Sequence, residues 1–303
     1  MEKCIQEINL VEANYSTRCI EWCFRFMGTP CFYESNLPDL NEDQIRVRLE
    51  SFDCITFLYT VIALAGATNF EDYVRRLRNI RYKDSQFHNI VSNDPVAGNF
   101  LDFACEALLF NGHDCGYIDD ITEDVVSGQD DLMSIEMELK PCERPQSHDC
   151  NSRVVLPRYQ GRKIHTNIIP SNRIDHLGLD RIQDGDIVIF THGEVSRKGK
   201  PQSCLVCHCG FVDINEGKLN FIHATRSFYV DGRNLSDEQL LKQKDEIPKE
   251  FLGVWHAGEF LGDNFTIRSE NETFSGYRKD KLRLLSDYSL SIFSGVKILR
   301  LKG

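Results

Sequence analysis

Ser51-Phe52-Asp53-Cys54-Ile55-Thr56-Phe57 is where a polar lead-in gives way to an apolar run that continues to Ala65 and stops at Gly66. Apolar residues all around a helical wheel define a short helix buried on every side. The run is too short to span a bilayer. Asp53 or Ser51 can accept hydrogen bonds from the first backbone N–H groups of such a helix. Cys54 then falls in the first turn, at the positive end of the helix dipole, where thiols ionise more readily. Cys54 is therefore a candidate nucleophile. The competing reading is a buried structural cysteine, and a histidine elsewhere must decide between them.

Outward from that stretch, Val11 to Phe26 carries apolar residues at helical intervals and ends at Met27-Gly28-Thr29-Pro30, a stop followed by a turn. Gln44 to Leu49 leads into the Cys54 helix. Phe70, Tyr73, Val74, Leu77 and Ile80 recur at spacings of three and four, the mark of an amphipathic helix. Phe100 to Phe110, closed by Asn111-Gly112, reads as another helix. Gly128 to Gly161, with Pro141, Pro145 and Pro157, reads as loops with one short helix around Leu132 to Met137.

After Asp184-Gly185-Asp186 the period changes to two. Ile187 to Phe190, Cys204 to Ile214 and Leu219 to Ala224 read as three antiparallel strands, and Val296 to Leu301 as a closing strand. No repeat or linker separates helices from strands, so residues 1–303 form a single α+β domain. The polar stretch 231–286 is a peripheral insertion.

The 303 residues are 41% hydrophobic and 27% charged, ordinary for a globular chain with a large core. A formal net charge of −11 argues against nucleic acid and anionic membranes as partners. The start, Met1-Glu2-Lys3-Cys4, has no secretory signal, so the expected location is cytoplasmic, or periplasmic or exported if a signal has been trimmed. Most of the twelve cysteines are then expected as reduced thiols.

Cys204-Leu205-Val206-Cys207-His208-Cys209 has the spacing of a haem-attachment motif and resembles half a zinc site. On a straight strand, however, Cys207 and Cys209 face away from His208, and no second half-site follows. No cofactor or metal is expected. If Asn215-Glu216 is a two-residue hairpin loop, Ile214 pairs with Gly217 and His208 lies opposite His223 on one face; a three-residue loop would put the rings on opposite faces. Paired histidines can serve as a base and its orienter, whereas a satisfied core histidine is the plain reading of His223. His88, His165, His192 and His256 fall in loops or polar stretches without such a partner.

Several blocks together resemble the NlpC-type, papain-like cysteine hydrolases of bacterial cell walls, and within them the N-acetylmuramoyl-L-alanine amidase-like group. They are Gly28-Thr29-Pro30, Phe52 to Phe57, Leu77 to Tyr82, Ile169-Pro170, Asp184 to Val188, His208 to Phe211, Phe221 to Ala224 and Gly295 to Leu301, in family order over almost the whole chain.

The resemblance implies a papain-like fold, with a nucleophile helix packed on an antiparallel sheet. It implies Cys54 as nucleophile, His208 as base and His223 as the orienting residue. Cys31 stands where the group has a tyrosine, with Tyr33 as a stand-in.

The expected activity is cysteine-dependent cleavage of an amide bond in peptidoglycan, as an N-acetylmuramoyl-L-alanine amidase or stem-peptide endopeptidase, on a peptidoglycan fragment or peptide substrate. A protein-directed transferase or deamidase is the alternative on the same fold. A metal-binding module built on Cys204 to Cys209 is the non-enzyme alternative. The 231–286 insertion is the expected lid or protein-partner surface.

Overall fold

The computed structural model describes residues 2–9, 14–27, 29, 47, 49–81, 109, 113–139, 162–171, 173, 177–191, 205–215, 218–225, 253–259, 264–268, 273–277 and 294–302; for 138, 139, 162, 179, 207, 215, 218–220, 225, 253–259, 264–268 and 273–277 it describes the backbone alone. Its helices are α1 (Glu2–Asn9), α2 (Tyr15–Arg25), α3 (Cys54–Gly66) and α4 (Phe70–Arg81). The strands are β1 (Ile118–Asp120), β2 (Met133–Leu139), β3 (Arg162–Pro170), β4 (Ile187–Thr191), β5 (Val206–Asn215), β6 (Lys218–Thr225), β7 (Gly253–Glu259), β8 (Asn264–Arg268), β9 (Thr273–Tyr277) and β10 (Gly295–Leu301).

Antiparallel pairing gives one sheet in the order β2-β3-β10-β4-β5-β6-β7, with β1 beside β10, and a separate β8–β9 hairpin. The architecture is α+β. No described helix is long and apolar enough to cross a membrane.

α3 forms where the sequence reading places it because both ends carry their signals. Asp53 Oδ1 accepts from Thr56 N at 2.8 Å while Thr56 Oγ1 accepts from Asp53 N at 2.9 Å, a reciprocal capping box. From Phe57 to Ala65 every residue is buried. This apolar cylinder has α2 and α4 against it and packs on the sheet face made by Ile187, Ile189, Cys209, Phe211, Ile222, Ala224 and Leu299. Each fully buried large apolar side chain contributes about 1.5–3 kcal/mol.

A chain of aromatic rings runs through that core. Trp22, Phe26, Phe52, Phe57 and Phe211 follow one another at centroid distances of 5.8, 4.9, 5.8 and 6.0 Å, from α2 to β5. Tyr15 reaches across to donate its hydroxyl to Ile62 O at 2.6 Å.

The turn before β4 is fixed by charge. Arg300 on β10 donates from Nε and Nη2 to the two carboxylate oxygens of buried Asp186, at 2.9 and 2.7 Å, and Gln183 N donates to the same carboxylate. Gly185 sits at φ 78°, and a Cβ there would lie 2.8 Å from that of Ser16. Glycine thus permits both the left-handed turn and its contact with α2.

Several expectations need correction. Leu132 to Met137 is not helical: Met133, Ile135 and Met137 alternate with polar residues, and the period of two forms β2, paired along its length with β3. β3 itself and α1 were not anticipated. His165 and His256 lie on β3 and β7 rather than in loops. The Val11 to Phe26 helix appears as α2, starting at Tyr15 because Asn14 Oδ1 caps it by accepting from Thr17 N. Of the expected helix at 100–110 only Leu109 is described. Within 231–286, β7 pairs with β6 and extends the main sheet.

Candidate active site

Cys54 is the first residue of α3, half-buried, and preceded by its cap Asp53. The amides of a helix's first turn have no intrahelical acceptor, so this end concentrates positive potential at the thiol. β5 meets the same turn, where Cys209 Sγ donates to Cys54 O at 3.3 Å. Three residues along the helix, Phe57 packs edge-on against Phe211, two residues along the strand. α3 therefore runs along β5 in the same direction. Since a helical Cβ tilts toward the helix N-terminus, the Cys54 side chain leans back toward the capped end of α3.

His208 and His223 are both buried, and His208 Nε2 lies 2.6 Å from His223 Nδ1. They share a face, but through a different register from the one expected. Ile214 pairs with Leu219, not Gly217, and Asn215 with Lys218, which leaves Glu216 and Gly217 between the strands. A glycine at the second position of a two-residue connection is the stronger hairpin signal. A shift of two residues preserves the faces, so the histidines are diagonal neighbours rather than directly opposed.

Alternation also determines which face this is. Cys209, Phe211, Ile222 and Ala224 point to the helices, so His208, Gly210, Phe221 and His223 lie on the other face of the sheet. There Phe190, the ladder partner of His208, stacks on it at 6.0 Å, and Phe221 packs on His223 at 4.7 Å. The β4–β5 ladder carries Phe190 to His208 but Thr191 to Val206, so Cys207 is an extra residue, a bulge immediately before His208. Bulges bend a strand and re-aim the adjacent side chains.

The structure thus brings His208 on β5 and His223 on β6 together on the sheet face turned from the helices, and seats β5 on the first turn of α3 through Cys209. Cys31, Tyr33 and Cys204 lie outside the described residues. Sequence reasoning did not single out Phe190, Phe221 or the bulge at Cys207. Alternation on either side of the histidines was the available signal for the two phenylalanines.

The fold and this histidine pair define an α+β protein whose candidate chemistry is gathered at the junction of one helix and one hairpin. The chain belongs to the AmiA-like family, described as N-acetylmuramoyl-L-alanine amidase-like, whose family model matches residues 22–248.

Among solved structures, a protein from Legionella pneumophila str. Philadelphia 1 aligns with a TM-score of 0.63 at 17% identity, covering 100% of this chain and 94% of the other. An N-acetylmuramoyl-L-alanine amidase from Bacteroides uniformis aligns with a TM-score of 0.57 at 15% identity, covering 96% and 100%. A Bacteroides fragilis protein carrying a xylanase name aligns at 0.53 and 18% identity, covering 92% and 98%. At these identities the likeness is one of fold. No curated protein matches the chain.

Proposed function

We propose that this protein is a cysteine amidase of the NlpC-type, papain-like kind that cleaves an amide bond in peptidoglycan, either between N-acetylmuramic acid and L-alanine or within the stem peptide. The observation that carries the reading is the 2.6 Å contact between His208 on β5 and His223 on β6, with β5 meeting the first turn of α3 where Cys209 Sγ donates to Cys54 O. Family membership supports amide hydrolysis as the reaction class.

The hydrogen bond constrains the proton positions. His208 uses Nε2 toward His223 Nδ1, so Nδ1 is the nitrogen through which His208 acts as base. For Nδ1 to accept a proton, Nε2 must carry one and donate it to His223 Nδ1, and His223 must hold its own proton on Nε2. His223 then fixes the tautomer of the base and stabilises the imidazolium that forms.

In the reaction, His208 Nδ1 takes the Cys54 proton and the thiolate attacks the amide carbonyl. The Cys54 backbone N–H supports the oxyanion, and the imidazolium protonates the departing amine. Water, deprotonated by the same ring, releases the acid from the thioester. The bulge before His208 favours an approach of sulfur and imidazole around the start of β5.

The stretch 231–286 is read as an insertion in a single domain. Its strand β7 pairs with β6, with Trp255 opposite His223 in the ladder, and this proximity supports reading the segment as a lid or partner surface.

The test is mass spectrometry of muropeptides after incubation with the protein and with its Cys54→Ala variant. Release of free stem peptide or of shortened stems by the native protein alone is the expected result. Identical products from both proteins would end the cysteine-hydrolase reading.

A further inference from the structure

Gly210 lies two residues beyond His208 on the same face of β5, and Phe221 lies two residues before His223 on the same face of β6. A Cβ at position 210 would come within 2.4 Å of Ile222 O and 2.7 Å of the Phe221 ring. The missing side chain at 210 is thus the space that Phe221 occupies. From that space the ring reaches the other three members of a cluster: Phe190 edge-on at 5.4 Å, His208 edge-on at 6.1 Å and His223 tilted by 35° at 4.7 Å. Phe221 is 1% exposed.

We infer that Phe221, held in the gap left by Gly210, is a positioning residue that locks the ring planes of His208 and His223. The inference rests on the reading of His208 as base and His223 as its orienter.

An imidazole turns readily about its terminal torsion, which is broad rather than sharply staggered. A 2.6 Å bond between Nε2 and Nδ1 of rings crossed at 78° exists only while both planes are fixed. Phe221 flanks the plane of His223 and Phe190 flanks that of His208, so neither ring can turn without displacing a buried phenylalanine. The same rings keep water from the bond, which in an apolar surrounding is stronger than in solvent. The substrate need not touch Phe221 for this to operate.

Two changes disturb the ring from opposite sides. Phe221→Leu removes it, and Gly210→Ala pushes it away. Each variant, together with native protein and Phe26→Leu as a control for loosening the core on the helix side, is examined by 15N NMR of the histidine nitrogens and by steady-state kinetics on muropeptide. Both changes should convert resolved His208 and His223 tautomers into averaged signals. Turnover should fall by about tenfold to a hundredfold, as expected for groups that orient a functional side chain. KM should stay within about twofold, and Phe26→Leu should do none of this.

If Gly210→Ala fails to fold, Phe221→Leu carries the test alone. Native tautomer signals and native kcat in Phe221→Leu, with His208→Ala inactive, would overturn this inference and leave the mechanism standing. Full activity of His208→Ala would instead overturn the mechanism.

Discussion

His208 and His223 cross at 78°, with Nε2 of the first 2.6 Å from Nδ1 of the second, so each ring commits one nitrogen to the other. In the proposed mechanism their roles are unequal. His208→Ala should lower kcat/KM by about 10² to 10⁴, the range for losing a general base, and His223→Ala by about 10 to 100. His223→Asn should recover part of that loss, because an amide oxygen can accept from His208 Nε2–H. Equal losses in the two alanine variants would remove the distinction between base and orienter.

Cys54→Ala should abolish turnover and leave the melting temperature near native, since the side chain is half-buried at a helix end rather than in the core. Cys207→Ala should have a much smaller effect. Thiol titration without reductant should find most of the twelve cysteines reduced; Cys4, Cys19 and Cys23 are free in the structure. Burial pushes the Cys19 and Cys23 thiols up, so these two should react only on unfolding. Rapid native-state alkylation of Cys19 or Cys23 would contradict the packing of α2.

Asp53 has two opposing effects at the proposed nucleophile. Its carboxylate caps α3, and its negative charge sits next to the Cys54 thiol, which the proposed mechanism requires to ionise. Asp53→Asn keeps an accepting oxygen and removes the charge, so the Cys54 thiol should become more acidic at nearly unchanged stability. Asp53→Ala loses the cap and should cost about 1 kcal/mol. The rate of iodoacetamide reaction against pH, with urea melts of both variants, separates these effects. An unchanged alkylation profile in Asp53→Asn would show that the cap charge does not reach the thiol.

Breaking the Asp186–Arg300 pair should destabilise the turn before β4. Asp186 is 1% exposed and also accepts from Gln183 N, so Asp186→Ala strands that backbone donor, while Arg300, 29% exposed, keeps its bond to Arg181 O. Leaving a buried donor unsatisfied costs about 1–3 kcal/mol. A urea midpoint within error of native would show that the turn before β4 does not depend on it.

Asp184 predicts a pH dependence of opposite sign to the usual carboxylate. Burial, with the nearby Asp213 and Asp186 carboxylates, outweighs the hydrogen bond from Ile214 N and raises its pKa. The folded protein therefore holds this proton more tightly than the unfolded chain. The associated stability is complete below the ordinary aspartate range near about 4 and is lost as pH rises through the raised value. Asp184→Asn, neutral throughout, should melt higher than native at pH 7, and the difference should shrink toward pH 4. A variant with no advantage at pH 7 contradicts this.

What the sequence made legible were the elements whose patterns are local. Asp53 before an unbroken apolar run is enough for α3, and alternation after Asp186 is enough for β4, β5 and β6. β2 was misread because Met133, Ile135 and Met137 alternate with residues that also suit helices. Its strand character depends on β3, which proline-rich surroundings obscured. The histidine pair was legible by parity, and parity survives a two-residue slip. The partner facing each residue did not survive it. Neither the bulge at Cys207 nor the seat of Phe221 over Gly210 could be read, since both arise from contacts between strands rather than from any one strand.

β10 lies inside the sheet, between β3 on one side and β4 on the other, although it comes after every other described strand in sequence. During synthesis β4 therefore waits without its inner neighbour until residues 295–301 have left the ribosome. The hairpin of β5 and β6 closes on its own over a short loop, so the histidine bond can form well before the sheet around it is complete. Joining β10 closes contacts more than a hundred residues apart, such as Thr191 Oγ1 to Gly295 O, and pairing over such distances slows folding. The last step in folding would then be insertion of a central strand, with the nascent protein exposing two sheet edges until it occurs.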